Sequence, residues 1–198
     1  MPYLVIGSLF FFTAINFFSS IPYLQANTGD TLLGPDHVIM ASTKSLVTID
    51  QSKKNKCALD ETKQALLDRI NKARSQARQC GDKPYKAAKP LTWSCQLETA
   101  AKKHSNDMAK NNYFSHVSPE GARVGERVNA TGYRWQSVGE NIAAGQRSAS
   151  VVIKGWLASP GHCANIMSNQ FTEMGIAEIN IPSSKYSYYW TQVFPRPR

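Results

Sequence analysis

Ser159-Pro160-Gly161-His162-Cys163-Ala164-Asn165-Ile166-Met167 places a helix start, a candidate metal ligand and a candidate disulfide half within one short stretch. Ser159 can cap a helix by accepting from its orphan amides, and Pro160 suits the first helical position because its missing N–H had no partner there. His162 then falls in the first turn. Exposed amides and the positive end of the helix dipole disfavour an added proton and keep the imidazole available as a ligand. Cys163 points roughly 100° further round the helix, so one residue can face a cleft while its neighbour faces the body. Read alone, the stretch is equally well explained as an ordinary helix start with a surface histidine.

Working outward, Ser148 to Ala158 carries Val151, Val152, Trp156 and Leu157 at helical spacing and runs into this stretch. Downstream, Thr172 to Ile181 and Tyr186 to Phe194 are rich in β-branched and aromatic residues, with Pro182-Ser183-Ser184-Lys185 between them. They read as a hairpin, and Pro195-Arg196-Pro197-Arg198 is expected to end any strand. Upstream, Leu59, Leu66, Leu67, Ile70, Ala73 and Ala77 follow a helical period, which predicts a first helix from about Glu61 to Gln79 with Gly81 as its stop. A second helix, capped by Thr92 or Ser94, is expected to reach about Asn111 with Leu97, Ala101, His104 and Met108 on its apolar face. His104 on that stripe reads as a core or supporting histidine rather than a ligand.

Between these helices and the hairpin lie two further candidates. His116, in F-S-H-V-S-P-E-G, sits on a loop by its Pro and Gly, followed by a short helix-like piece from Ala122 to Asn129. Glu140, in S-V-G-E-N-I-A-A-G, is either an exposed acid at a strand end or an acid pointing into a cleft. Helices flanking a small sheet make the class α+β.

The 198 residues, 42% of them hydrophobic, suit one well-packed domain. Residues 1–26 carry no charged side chain, and the apolar run from Leu4 to Phe18 has the length of a signal-peptide core, with cleavage after Ala26. An uncleaved anchor is the other reading, since the leader lacks Lys and Arg and Leu24 is large for its place before the cut. Residues 27–56 lack a sustained period and read as a linker or pro-segment. Behind an export signal, Cys57, Cys80, Cys95 and Cys163 read as two disulfides. A straight helix from Glu61 to Gln79 would span roughly 27 Å, which disfavours Cys57 with Cys80. Charge is +9, from 23 basic and 14 acidic residues. Arg69, Lys72, Arg74, Arg78, Lys83, Lys86 and Lys89 cluster on and after the first helix, as a solvated face or one that meets anionic lipid or polysaccharide. No nucleic-acid motif accompanies it.

Taken in order, six segments resemble the CAP superfamily, the SCP-like extracellular type, in its bacterial exported form. They are His104-Ser105-x-Asp107-Met108-Ala109, Phe114-Ser115-His116-x-Ser118-Pro119-x-Gly121, Gly139-Glu140-Asn141-Ile142-Ala143-Ala144-Gly145, Trp156-Leu157-x-Ser159-Pro160-Gly161-His162, Phe171-Thr172-Glu173-Met174-Gly175 and Tyr189-Trp190-Thr191-Gln192-Val193-Phe194. The resemblance implies a three-layer α-β-α sandwich over a domain spanning residues 57–198. It also implies a cleft with two histidines and two acids that can hold a divalent metal, zinc or magnesium. His116 and His162 match the histidines and Glu140 the first acid. The second acid, three residues after Trp156, is Ser159 here, a departure that weakens a four-residue site. The resemblance further implies Cys80 with Cys163 and Cys57 with Cys95, while Cys57 with Cys163 stays open on the residues alone.

These readings favour a secreted or periplasmic monomer that binds a small ligand, a lipid, a peptide or a cell-envelope glycan, rather than an enzyme or a nucleic-acid binder. The alternative is a metal-assisted hydrolase with His116 and His162 as ligands and Glu140 as base. A structural or host-interacting protein that presents its basic face is a third.

Overall fold

The computed structural model describes residues 59–198; the expected leader, the 27–56 segment and Cys57 lie outside them. Helix α1, Glu61–Arg74, begins where the periodicity places it, with Asp60 accepting from the Lys63 amide at 2.9 Å. It stops at Arg74 rather than near Gln79. Arg78–Cys80 forms strand β1, paired antiparallel with β2, Lys83–Tyr85. Gly81, at φ +60°, turns this small hairpin instead of ending a helix.

Arg74 explains the early stop. It is fully buried, and its guanidinium donates to the carbonyls of Lys89, Ile166 and Ser168 at 2.5 to 3.0 Å. Burial lowers its pKa to about 10. The backbone doubles back so that the Ala88 amide donates to the Arg74 carbonyl at 2.8 Å. One side chain thus gathers the end of the first helix, the returning connection and the chain near Ser168.

The remaining elements are β3 (Thr92–Trp93), α2 (Cys95–Lys110), α3 (Val124–Asn129), β4 (Trp135–Ala144), α4 (Ala149–Ala158), α5 (Pro160–Met167), β5 (Glu173–Asn180) and β6 (Tyr188–Pro197). Four strands form the central sheet in the order β3-β5-β6-β4, with β3 parallel to β5 and the other pairs antiparallel. Alternation along the strands sends side chains to two faces. Met174, Ile176, Trp190 and Phe194 pack with Leu66, Ile70, Val152, Trp156, Cys163 and Ile166, from α1, α4 and α5. On the other face Ala177 and Val193 pack with Leu97, Ala101 and Val128, from α2 and α3. The architecture is the expected α+β sandwich of helices, sheet and helices.

Gly175 sets how close α2 lies to the sheet. A Cβ there would fall 2.2 Å from the Glu98 amide nitrogen, so any side chain would push the helix off. Strand β6 runs through Pro195 to Pro197, against the expectation that these residues end it. The Pro195 carbonyl accepts from Thr172 at 3.2 Å, so its nitrogen also faces the β5 side and the ladder with β4 continues from Val138 opposite Pro195.

Cys80 and Cys163 are bridged, with Cα atoms 5.5 Å apart, which rules out Cys57 with Cys163. Cys95 is also disulfide-bonded; its expected partner, Cys57, lies outside the described residues.

Replacing Arg74 by Met keeps the stem and removes the donors, leaving buried carbonyls unpaired. Denaturant unfolding should show a loss of about 2–4 kcal/mol, with Arg74→Lys recovering less than half because one ammonium cannot fork to several carbonyls. A loss below about 1 kcal/mol would show that the carbonyls find other donors.

Candidate functional site

Strand β4 lies at an edge of the sheet, and its alternation splits two consecutive polar residues between the faces. Glu140 faces α2 and α3, whereas Asn141 faces α5. Glu140 is therefore neither at a strand end nor exposed: its side chain is 3% exposed. One carboxylate oxygen, Oε1, accepts from His116 Nδ1 at 2.7 Å, and the other, Oε2, accepts from Arg127 Nη2 at 2.7 Å. A buried carboxylate needs such partners, because losing hydration without replacement costs several kcal/mol.

Arg127 does more than neutralise this charge. From α3 it also donates to the carbonyls of Ala122 at 2.7 Å and His116 at 3.1 Å, which fixes the loop that carries His116. His104, fully buried on α2, holds the same loop, with Nε2 donating to the Ser115 carbonyl at 3.0 Å. Its pKa is lowered, first by burial, so it stays uncharged beside the arginine. His104 is thus a supporting histidine, 3.9 Å from Glu140 and not bonded to it.

With Nδ1 donating to Glu140, His116 turns Nε2 outward, and its side chain is 54% exposed. His162 approaches over the same sheet edge from the other layer. Asn141 fastens the start of α5 by donating to the His162 carbonyl at 3.2 Å, and Asn165 donates to the Asn141 side-chain oxygen at 2.9 Å and the Glu140 carbonyl at 3.2 Å. Burial lowers the pKa of His162, and the charge of His116 lowers it further. Ser159 occupies the N-cap position, yet its side chain makes no cap hydrogen bond; only its carbonyl serves, accepting from Cys163 at 2.8 Å.

Beside His162 opens a hollow of about 380 Å³, lined mainly by apolar groups that include Ile142, Val152 and Trp156. Phe114 and Tyr186 also line it; they are 46% and 37% exposed, with ring centroids 6.1 Å apart in edge-to-face contact. Ser159 and Gln146 are among its polar groups.

A metal would find two imidazoles here. Glu140 has both oxygens engaged, Ser159 offers no carboxylate, and among the described residues no group of three or more His, Cys, Asp and Glu is placed to hold an ion. That falls short of the three protein ligands of a catalytic zinc site and lacks the oxygen donors magnesium prefers.

Of the residues proposed from sequence, His116 and Glu140 are bonded to each other, while His162 stands at the start of α5 and lines the hollow there. Arg127 was missed. Its signal was its place on α3, three residues after Val124 and beside the fully buried Val128, where an arginine needs an acid and Glu140 needs a cation.

Comparison with known proteins adds the following. The model of the cysteine-rich secretory protein family, CAP, matches residues 67–194. The uncharacterized protein YkwD of Bacillus subtilis is 36% identical over 106 residues, 54% of this chain and 39% of its own. The uncharacterized membrane protein YlbC of the same organism is 35% identical over 86 residues, 43% of this chain and 25% of its own. The chain therefore spans well under half the length of these relatives. Among solved structures, an extracellular SCP-domain protein of Bacillus anthracis shares 34% identity at a TM-score of 0.56, covering 67% of this chain and 39% of that one. An outer surface protein of Borrelia burgdorferi, 17% identical with a TM-score of 0.57 over 71% of this chain and 96% of its own, shares the fold.

The neighbouring imidazoles can be tested by NMR titration. In His116→Gln, the pKa of His162 should move up toward the ordinary imidazole value, because one of the two influences lowering it has gone. An unchanged His162 titration would mean that the two rings do not share the cleft.

Proposed function

The chain belongs to the cysteine-rich secretory protein (CAP) family, and from that premise we propose that it is an exported binding module whose cleft takes a small amphipathic ligand, a lipid or a cell-envelope glycan. The observation that carries this reading is the apolar hollow of about 380 Å³, walled by exposed Phe114 and Tyr186 and adjoined by His162. Its volume lies within the range of small-ligand sites, and exposed aromatics beside a few polar groups are the usual composition of such sites. His162, Ser159 and Gln146, which line the hollow, offer hydrogen-bonding positions for the ligand's polar end. Export is supported by the apolar leader at residues 1–26 and by the extracellular Bacillus anthracis relative. Among the described residues no helix is long and apolar enough to cross a membrane.

What weighs against Glu140 as a hydrolytic base is that both its oxygens are already engaged, Oε1 by His116 and Oε2 by Arg127, each at 2.7 Å. If the cleft catalyses hydrolysis, the proton acceptor is His116 Nε2 and Glu140 is the positioning residue. The binding reading needs neither an activated nucleophile nor a metal.

Protein purified from the secreting host should carry a retained lipid or glycan visible by mass spectrometry after extraction. The Phe114→Ala/Tyr186→Ala variant should retain about tenfold less, the loss expected when aromatic contacts worth about 1 kcal/mol or more are removed. Equal retention by the variant, or repeated blanks from the wild type, would count against this function.

A further inference from the structure

A second concavity lies between α1 and α4, away from the histidine cleft. It encloses about 490 Å³ and is lined by Arg69, Lys72, Arg78 and Lys154, over a floor that includes Ile153 and Leu157. No acidic side chain among the described residues lines it, and none of the four cations is in a salt bridge there. Asp68, next to Arg69 in sequence, is engaged by Gln64 at 2.8 Å.

Arg78, a half-buried residue of β1, is the chemically distinctive member of this lining. Its Nε is buried and has no hydrogen-bond partner among the described residues. Buried guanidinium donors are ordinarily satisfied, so this N–H is left for an acceptor that enters from outside. An arginine fork matches the paired oxygens of phosphate or carboxylate, and the flanking lysines supply charge without geometric demand. Cations gathered in a low-dielectric concavity also focus the potential of a chain whose net charge is +9.

We propose that this groove is a binding site for an extended soluble polyanion carrying phosphate or carboxylate groups. From Arg69 to the end of α1 at Arg74 the wall runs roughly 7–8 Å, room for about two successive anionic groups of a polymer. A membrane surface fits less well, because the four cations line one hollow between two helices rather than an outward plane. The proposal is independent of the cleft, with which the groove shares no lining residue.

The test uses the purified full-length protein at low ionic strength with inorganic polyphosphate, polygalacturonate, neutral dextran and vesicles containing anionic phospholipid. The wild type should bind one or both polyanions, more weakly as salt rises, and should not bind dextran. Arg78→Gln/Lys154→Gln should weaken that binding by about tenfold or more, the scale of losing charge-assisted hydrogen bonds. Lys86→Gln/Lys89→Gln, which removes the same charge outside the groove, should change it by less than about threefold. If thermal melting shows that the Arg78 variant is destabilised, Arg69→Gln/Lys72→Gln, at exposed positions, is the replacement and should show the same loss. Polyphosphate binding alone assigns phosphate as the ligand chemistry, and polygalacturonate binding alone assigns carboxylate. Equal losses in the groove and control variants, no polyanion binding by the wild type, or tighter binding to vesicles than to either polymer would overturn the proposal.

Discussion

A carboxylate buried against the sheet must be paired, and the pairing of Glu140 organises the cleft. Its side chain is 3% exposed, so each oxygen needs a donor from the protein. Arg127 supplies one and thereby requires α3 to sit against β4. His116 supplies the other and thereby requires its loop to fold over the sheet edge. His104 and Arg127 then hold that loop through backbone carbonyls, at 3.0 and 3.1 Å. Removing Arg127 would leave the buried carboxylate without its counter-charge, which typically costs about 3–5 kcal/mol. The same contacts that satisfy the carboxylate also fix which imidazole nitrogen faces outward.

The sheet edge lets both helical layers contribute to one site. Glu140 and Asn141 are adjacent in the chain and point to opposite faces, so one secures the His116 loop and the other the start of α5. The Cys80–Cys163 bridge fastens that same helix start to the β1–β2 hairpin, and Gly81 permits the approach, since a Cβ there would lie 2.9 Å from Pro160. His162, one residue before the bridge, therefore stands on a fixed support. Glu140, Arg127, Asn141 and Asn165 are bonded to one another and to backbone carbonyls, while aromatic and apolar groups remain open outside.

Much of the fold was legible because burial leaves a period. The apolar spacing of α2 and α4 and the β-branched runs of β5 and β6 placed those elements, and the motifs singled out His116 and Glu140, which are bonded to each other. What was illegible depended on contacts distant in sequence. Arg74 looked like part of a solvated basic face, yet it is fully buried and bonds carbonyls near residue 168, so the end of α1 was drawn too late. Pro195 looked like a strand terminator because nothing local says which side its nitrogen faces. Ser159 looked like a capping side chain, whereas only its carbonyl is used. Arg127 escaped notice because a charged residue on a short helix ordinarily faces solvent.

The central claim is that Glu140 acts by orienting His116 rather than as a free base, and the tautomer of His116 tests it most directly. Nitrogen-15 NMR of the neutral imidazole should show the proton on Nδ1 and a bare Nε2, with that preference lost in Glu140→Ala. A proton found on Nε2 in the wild type, or an Nδ1 preference that survives in Glu140→Ala, would contradict the claim.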